Sequence, residues 1–350
     1  MKKIQITICM VAVVLMSVLI CGCGKSKASE DIEAAMQLVE GYQYEEAMAL
    51  FDKAAEEKAN PQMLARGRGI ASLGLTNYED AIGYFTEALS YSNFLVDELD
   101  FDLNYYLAEA YEKNGDLQKA KEVYKNILEL RPDEVNALFL RGKMLLAEGD
   151  YKNASADFKE VTRLDKDSYE LRIEIAGLLS QSGYQEEGKK YLSDFLAKND
   201  KKLGDYDRGR IYYYIGDYEN ARIFLEKAKA DRNENTILLL GKTYEKLGDF
   251  NYATSEYKNY LLEHDDSAII YNQLGLCKLQ SGEYDEARKA FESALNVENN
   301  GMGKTLEYNL IVACEYAGDF EQASVLMKSY LKKYPDDENA LRENEFLKSR

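Results

Sequence analysis

Three observations predict an all-α fold built from stacked helical hairpins: a phrase that returns about every 34 residues, apolar residues spaced four apart, and prolines confined to junctions. The phrase is Gly-Asp-Tyr-x-x-Ala. It occurs as Gly149-Asp150-Tyr151 with Ala154, Gly216-Asp217-Tyr218 with Ala221, Gly248-Asp249-Phe250 with Ala253, Gly282-Glu283-Tyr284 with Ala287, and Gly318-Asp319-Phe320 with Ala323. Earlier copies keep only part of it, as Tyr44 with Ala47, Tyr78 with Ala81, and Gly115-Asp116-Leu117 with Ala120. With Gly188 holding the small position in the fifth copy, the steps between copies are 34, 39, 34, 34, 33, 32, 34 and 36 residues, so nine units fill the chain. Pro61, Pro132 and Pro335 all fall at unit junctions, where a helix can end without losing an internal hydrogen bond.

Composition narrows the function. The 350 residues carry 62 acidic against 44 basic side chains, a formal charge of -18, which disfavours a nucleic-acid partner. A single histidine, and five cysteines of which Cys9, Cys21 and Cys23 lie in or beside the leader, leave little material for metal or nucleophilic chemistry. A non-catalytic protein without cofactor or metal is expected.

In chain order, the first element is a leader. Residues 1–20 place Lys2 and Lys3 before an apolar run from Ile8 to Ile20, a secretory layout. Ile20-Cys21-Gly22-Cys23 resembles the bacterial lipobox, with Gly22 in the small position and Cys23 as the acylated residue. That resemblance implies a signal peptide over 1–22, lipidation at Cys23, a tether over 23–27, and a lipid-anchored protein on the extracytoplasmic face of a bacterial membrane. Two acyl chains would make such anchoring stable. The style of the leader points to a Gram-positive cell rather than an outer membrane.

Each unit then reads as two amphipathic helices. The first carries a small residue at its middle (Gly69, Ala108, Gly142, Ala176, Gly209, Gly241, Gly275), where a neighbour can approach; glycine lowers helix propensity there, so packing must explain it. Gly115, Gly149, Gly183, Gly216, Gly248, Gly282 and Gly318 stop it. The second helix sets its small residue four places before a large apolar one: Phe51, Phe85, Tyr124, Phe158, Leu192, Leu225, Tyr257, Phe291 and Met327. The fifth unit departs most, with Gln185 and Gly188 in place of an aromatic and alanine, which predicts looser packing or a bend. Residues 96–100 form an insertion between the second and third units, and 338–350 read as a capping helix.

These units resemble the tetratricopeptide repeat over residues 28–337, most closely in the fourth, seventh and eighth. The tryptophan that often opens that family's pattern is replaced by Ala65, Asn104, Leu138, Ile237 and Tyr271. The resemblance implies a right-handed superhelical solenoid with a concave groove lined by the first helices. In the family, the residues reaching that groove lie one, four, eight and eleven places after each unit start. Here they include Arg66, Tyr105, Glu109, Phe139, Lys143, Tyr206, Arg210, Tyr213, Leu238, Lys242, Asn272 and Tyr308. Aromatic anchors among Arg and Lys suit a protein or extended peptide in the groove, and the rival reading has these aromatics packing between repeats. The family's Lys/Asn/Arg clamp for C-terminal carboxylates is not reproduced.

Other candidates have plainer readings. His264 reads as an exposed loop residue. Cys277 and Cys314 occupy equivalent positions on first helices and read as small core residues, with a disulfide as the alternative. Asn296, Glu298, Asn300, Gly301 and Glu307 mimic calcium-loop spacing at an inter-repeat junction, with Asn in the first ligand position. The acidic runs at 97–102 and 336–338 read as solvated loops. The function expected is a membrane-anchored scaffold binding a protein or peptide partner, with an accessory lipoprotein for assembly or export of envelope polymer as the alternative.

Overall fold

The structure is a computed structural model, and it describes residues 26–93 and 96–350. The leader, Cys23 and most of the tether lie outside these residues. All regular structure described is helical. The hairpins in order are α1 (Lys27–Glu40) with α2 (Tyr44–Glu56), α3 (Pro61–Gly74) with α4 (Tyr78–Ser90), α5 (Glu98–Lys113) with α6 (Leu117–Leu130), and α7 (Val135–Ala147) with α8 (Tyr151–Leu164). There follow α9 (Tyr169–Gln181) with α10 (Gln185–Asn199), α11 (Asp205–Ile215) with α12 (Tyr218–Ala228), and α13 (Glu234–Leu247) with α14 (Phe250–Leu261). The last are α15 (Ala268–Gln280) with α16 (Tyr284–Asn296), α17 (Gly303–Tyr316) with α18 (Phe320–Lys333), and then α19 (Glu338–Lys348). The chain divides into two compact units, Met1–Gly188 and Lys189–Arg350.

One contact builds every hairpin. The large residue of each second helix, from Phe51 to Met327, is buried, as is the alanine four residues before it wherever one stands there. In α15 the place of a side chain at Gly275 is taken by the Phe291 ring of α16: a Cβ there would sit 2.5 Å from a ring carbon. Gly69 against Phe85, Gly142 against Phe158, Gly209 against Leu225 and Gly241 against Tyr257 repeat the arrangement. Glycine is therefore a packing residue in these helices, which is why its poor propensity is tolerated.

Turns follow the same economy. Gly115 ends α5 in the left-handed region at φ 85°, with its N–H on Glu112 O and Asp116 N–H on Tyr111 O. In the first two hairpins the left-handed position of this turn is held by a residue other than glycine, Tyr42 (φ 60°) and Thr76 (φ 61°).

The fifth unit departs where its pattern does: α9 approaches the preceding α8 at far fewer places than other first helices approach the helix before them, the looser packing that the sequence predicts. Inside the hairpin Gly188 leaves no gap: a Cβ at that position would lie 2.8 Å from the Ala176 carbonyl oxygen, so glycine lets α10 approach α9 more closely than alanine would. The unit's missing aromatic is supplied one residue early by Tyr184, which stacks on Tyr151 at 4.0 Å. Arg172, in the first pattern position of that unit, is buried and donates to the Thr162 and Asp165 carbonyls at 2.9 Å and to Ser168 O, tying the end of α8 to α9. One expectation needs correction: residues 97–102 are not a solvated loop. Asp97 caps α5, Asp100 is buried and accepts from the Ser92 hydroxyl, and the inserted residues thus lengthen α5 at its N-terminus.

Ion pairs mark the junctions between neighbouring hairpins. Lys121 Nζ meets Glu148 Oε2 at 2.5 Å, Lys143 Nζ meets Glu112 Oε1 at 2.7 Å and Lys229 Nζ meets Glu256 Oε1 at 3.0 Å. Arg232 with Glu263 does the same, whereas Lys333 with Glu307 and Arg131 with Glu98 join the two helices of a single hairpin.

Candidate functional site

Which side of each hairpin stack is the inner one follows from the contacts between helices. Within Met1–Gly188, α1 touches α3, α3 touches α5 and α7 touches α9; within Lys189–Arg350, α11 touches α13, α13 touches α15 and α15 touches α17. Successive second helices make no comparable approach among the described residues. Elements on the inside of a curved stack crowd together, so the first helices line the concave wall of each unit.

The twelve residues expected to reach the groove all lie on first helices, and every one is partly exposed, neither sealed in the core nor fully in water. In Met1–Gly188, Arg66 Nε donates to Asp102 at 2.7 Å and its guanidinium lies 5.5 Å from the Tyr106 ring. The Tyr105 ring tilts onto Tyr124 at 6.2 Å; burial, and then the Glu134 charge, push its hydroxyl pKa upward. Phe139 rests on Phe158 at 6.1 Å, and Lys143 is engaged by Glu112. The two cations of this wall are thus neutralised by neighbouring first helices, leaving aromatic faces and Glu109 toward the groove.

In Lys189–Arg350, Tyr206, Tyr213 and Leu238 pack onto the core formed by α12 to α16 while keeping one face open. Arg210 follows Tyr206 by one turn and precedes Tyr213 by one. Tyr213 meets Tyr214 and Tyr218 edge-on at 5.5 and 5.6 Å, and burial pushes its pKa up to about 12, so the phenol stays a donor at neutral pH. Lys242 shares α13 with Glu245, which accepts from the Tyr257 hydroxyl at 2.7 Å and from Gln273 Nε2 at 3.0 Å; burial raises this carboxyl. Asn272 accepts from the Asn309 amide at 2.9 Å, bridging α15 and α17. Tyr308 borders a cavity of about 210 Å³ together with Lys304, Asn309, Tyr330 and Asp337.

Sequence reasoning passed over part of this wall. Glu245 and Glu315 stand eleven places after their unit starts, the register that singled out Tyr213, and Tyr214 and Tyr316 stand one place further. Tyr316 is 61% exposed. The period that identified Tyr213 could have found all four. The set offers aromatic faces, amides and phenol donors, which suit an extended backbone.

The remaining candidates are structural. His264 is not in an exposed loop alone: its ring is half-buried and stacks on Tyr260 at 4.4 Å. Cys277 and Cys314 are free and buried, and burial pushes both thiols up. At the calcium-like spacing, the Asn300 amide donates to Val297 O at 3.0 Å and its oxygen accepts from Met302 N–H, while Glu307 pairs with Lys333, so these two would-be ligands are turned to other partners. No described helix is long and apolar enough to cross a membrane.

Comparisons agree with this architecture. Family profiles described as tetratricopeptide repeat match residues 66–120, 105–169, 201–230 and 238–301, together more than half of the chain. A TPR repeat-containing protein of Methanocaldococcus jannaschii is 23% identical over 280 residues, covering 71% of this chain and 48% of the relative. Photosystem I assembly protein Ycf3 of Acaryochloris marina is 34% identical over 114 residues, 31% of this chain and 66% of the relative. The chain spans less than two thirds of each of these relatives. A solved tetratricopeptide repeat protein from Parabacteroides merdae ATCC 43184 shares 19% identity over 82% of this chain and 98% of its own, with a TM-score of 0.47. The hairpin contact, the glycine turns and the profile matches together establish that the chain belongs to the tetratricopeptide repeat family, whose members bind protein partners.

Proposed function

We propose that this chain is a non-catalytic scaffold, lipid-anchored through Cys23 on the extracytoplasmic face of a bacterial cell membrane, that holds a protein or extended peptide against the inner walls of its hairpin stacks. The observation that carries the reading is the register of half-buried side chains: Tyr105, Phe139, Tyr206, Leu238, Asn272 and Tyr308 stand at one position of six first helices, and each is partly exposed. Rigid aromatics that are already ordered lose little entropy on binding, which favours their use as anchors. The likeness to a protein named for photosystem assembly supports a role in building a complex.

A photo-crosslinking residue at Tyr206 or Tyr213, with Ser255 on the exposed side of α14 as control, tests the groove in cells. Capture of one discrete protein from the inner wall alone supports the scaffold; equal capture from both sides refutes it. Metabolic labelling with a palmitate analogue that disappears in Cys23→Ser tests the anchor. Tyr252 and Tyr316, 62% and 61% exposed, favour the second reading, an accessory role in assembly or export of an envelope polymer whose sugar rings would stack on them. Retention of the chain on immobilised envelope glycan, lost in Tyr316→Ala, separates the two.

A further inference from the structure

The last helix closes the apolar stack of Lys189–Arg350. Ala340 and Leu347 of α19 are buried, Phe346 meets Phe320 edge-on at 6.3 Å, and Asp337 at its N-terminus accepts from Tyr330 at 2.8 Å and pairs with Lys304 at 3.0 Å. One feature of this interface opposes docking. Glu315 of α17 faces Glu343 of α19, and Glu315 Oε1 is shut away from water with no hydrogen-bond donor reaching it. Two ionised carboxylates only accept, so a facing pair holds together when one of them carries a proton and donates.

We propose that α19 is a proton-controlled cap, docked across α18 and α17 while a proton sits between Glu315 and Glu343 and loosened when that proton leaves to solvent. Burial first, and the Glu343 charge second, raise the Glu315 carboxyl from its ordinary 4.5 to about 7. Among the described residues no cation is found acting on the Glu315 carboxyl in place of the proton. Tyr308 of α17 feels both carboxylates together with Asp337 and Arg342, whose guanidinium instead donates to Glu338 O and Asn339. Tyr330 of α18 is turned to Asp337, and Leu276 and Leu279 of α15 pack against the same apolar core. Arg288 and Glu292 of α16, with Asp319, act on the neighbouring Cys314.

The direction follows from linkage. A carboxyl whose value is raised by docking favours the docked form at low pH, and that preference is lost as pH rises from about 4.5 to about 7. With those two values the docking constant falls by at most about 70-fold between pH 5 and pH 8, and water reaching this part-buried pair reduces the figure. Loosening would withdraw Asp337 and Asn339 from the cavity beside Tyr308, coupling pH to the end of the inner wall.

Hydrogen exchange of the full chain at pH 5 to pH 8, with labelling times scaled to the intrinsic rate, tests this. Protection over 338–350 should fall several-fold to tens of fold while α13 holds, and Glu315→Gln, which donates without ionising, should keep its protection at pH 8. Unchanged protection in the wild-type chain, equal loss in α13, or the same loss in Glu315→Gln overturns the proposal. If glutamine at 315 frees α19 at every pH, Glu343→Gln carries the same expectation from the other side of the pair, and a pH-dependent loss there overturns it as well.

Discussion

Replacing glycine by alanine should change sign with position in this molecule. In an open helix the exchange gains about 1 kcal/mol, because alanine loses less backbone freedom on folding. Gly83 in α4 and Gly177 in α9 have nothing within 4 Å of the added carbon, so Gly83→Ala and Gly177→Ala should each stabilise by about 0.5–1 kcal/mol. Gly275→Ala meets the Phe291 ring at 2.5, 2.7 and 2.8 Å, and Phe291 is wholly buried with no space to retreat. Overpacking of that kind costs about 1–3 kcal/mol, which outweighs the propensity gain and leaves a net loss of about 1 kcal/mol. Urea titration followed by helical circular dichroism reads both signs, and a Phe291→Leu background should shrink the Gly275→Ala loss, since the two sites are in contact. A gain for Gly275→Ala equal to that of Gly83→Ala would refute the reasoning that glycine is retained for the ring.

Three further outcomes follow from the same contacts. Thr76→Gly relieves a left-handed backbone at φ 61° and should stabilise by about 1 kcal/mol in the same titration; a loss would show that the threonine side chain contributes something else. Arg172→Met strips the donors from the Thr162, Asp165 and Ser168 carbonyls and should cost about 2–3 kcal/mol, against which a loss below about 1 kcal/mol would mean that water takes over the role. Asp337 is held at about 2 by the Ala340 N–H, Lys304 and Tyr330, so it favours docking of α19 above the ordinary 3.8 and loses that effect as pH falls toward 2. Exchange protection of α19 should therefore also decline below about pH 4, and Asp337→Asn should abolish this acid limb while leaving the alkaline one.

The hairpin core was legible from residue type and spacing, because a buried stripe and a glycine turn impose a period that needs no partner to be seen. Phe51, Phe158 and Met327 went to the core on that period alone. What escaped was chemistry made between units. Nothing within residues 97–102 tells that Asp100 is buried on Ser92 and that Asp102 meets Arg66, 36 positions earlier. In the fifth unit pattern loss marks a thin junction between α8 and α9, while the close approach of the α9 backbone to Gly188 shows only once the two helices are placed. Glu245 and Glu315 were passed over because a carboxylate reads as solvated until its neighbours are known.

The ion pairs at the hairpin junctions bear on how such an array finds its order. In the core, each hairpin presents nearly the same ring to nearly the same glycine or alanine, so a unit could nest against the wrong neighbour with little loss. Lys121 with Glu148, Lys143 with Glu112 and Lys229 with Glu256 differ from junction to junction, and a skipped or shuffled unit would strand these charges opposite unmatched side chains. Each exposed pair contributes about 0–1 kcal/mol to stability. Their larger effect is on addressing: an interior built of interchangeable parts is given a fixed sequence of assembly by its surface, and transplanting one hairpin into another slot should misfold more often than it weakens.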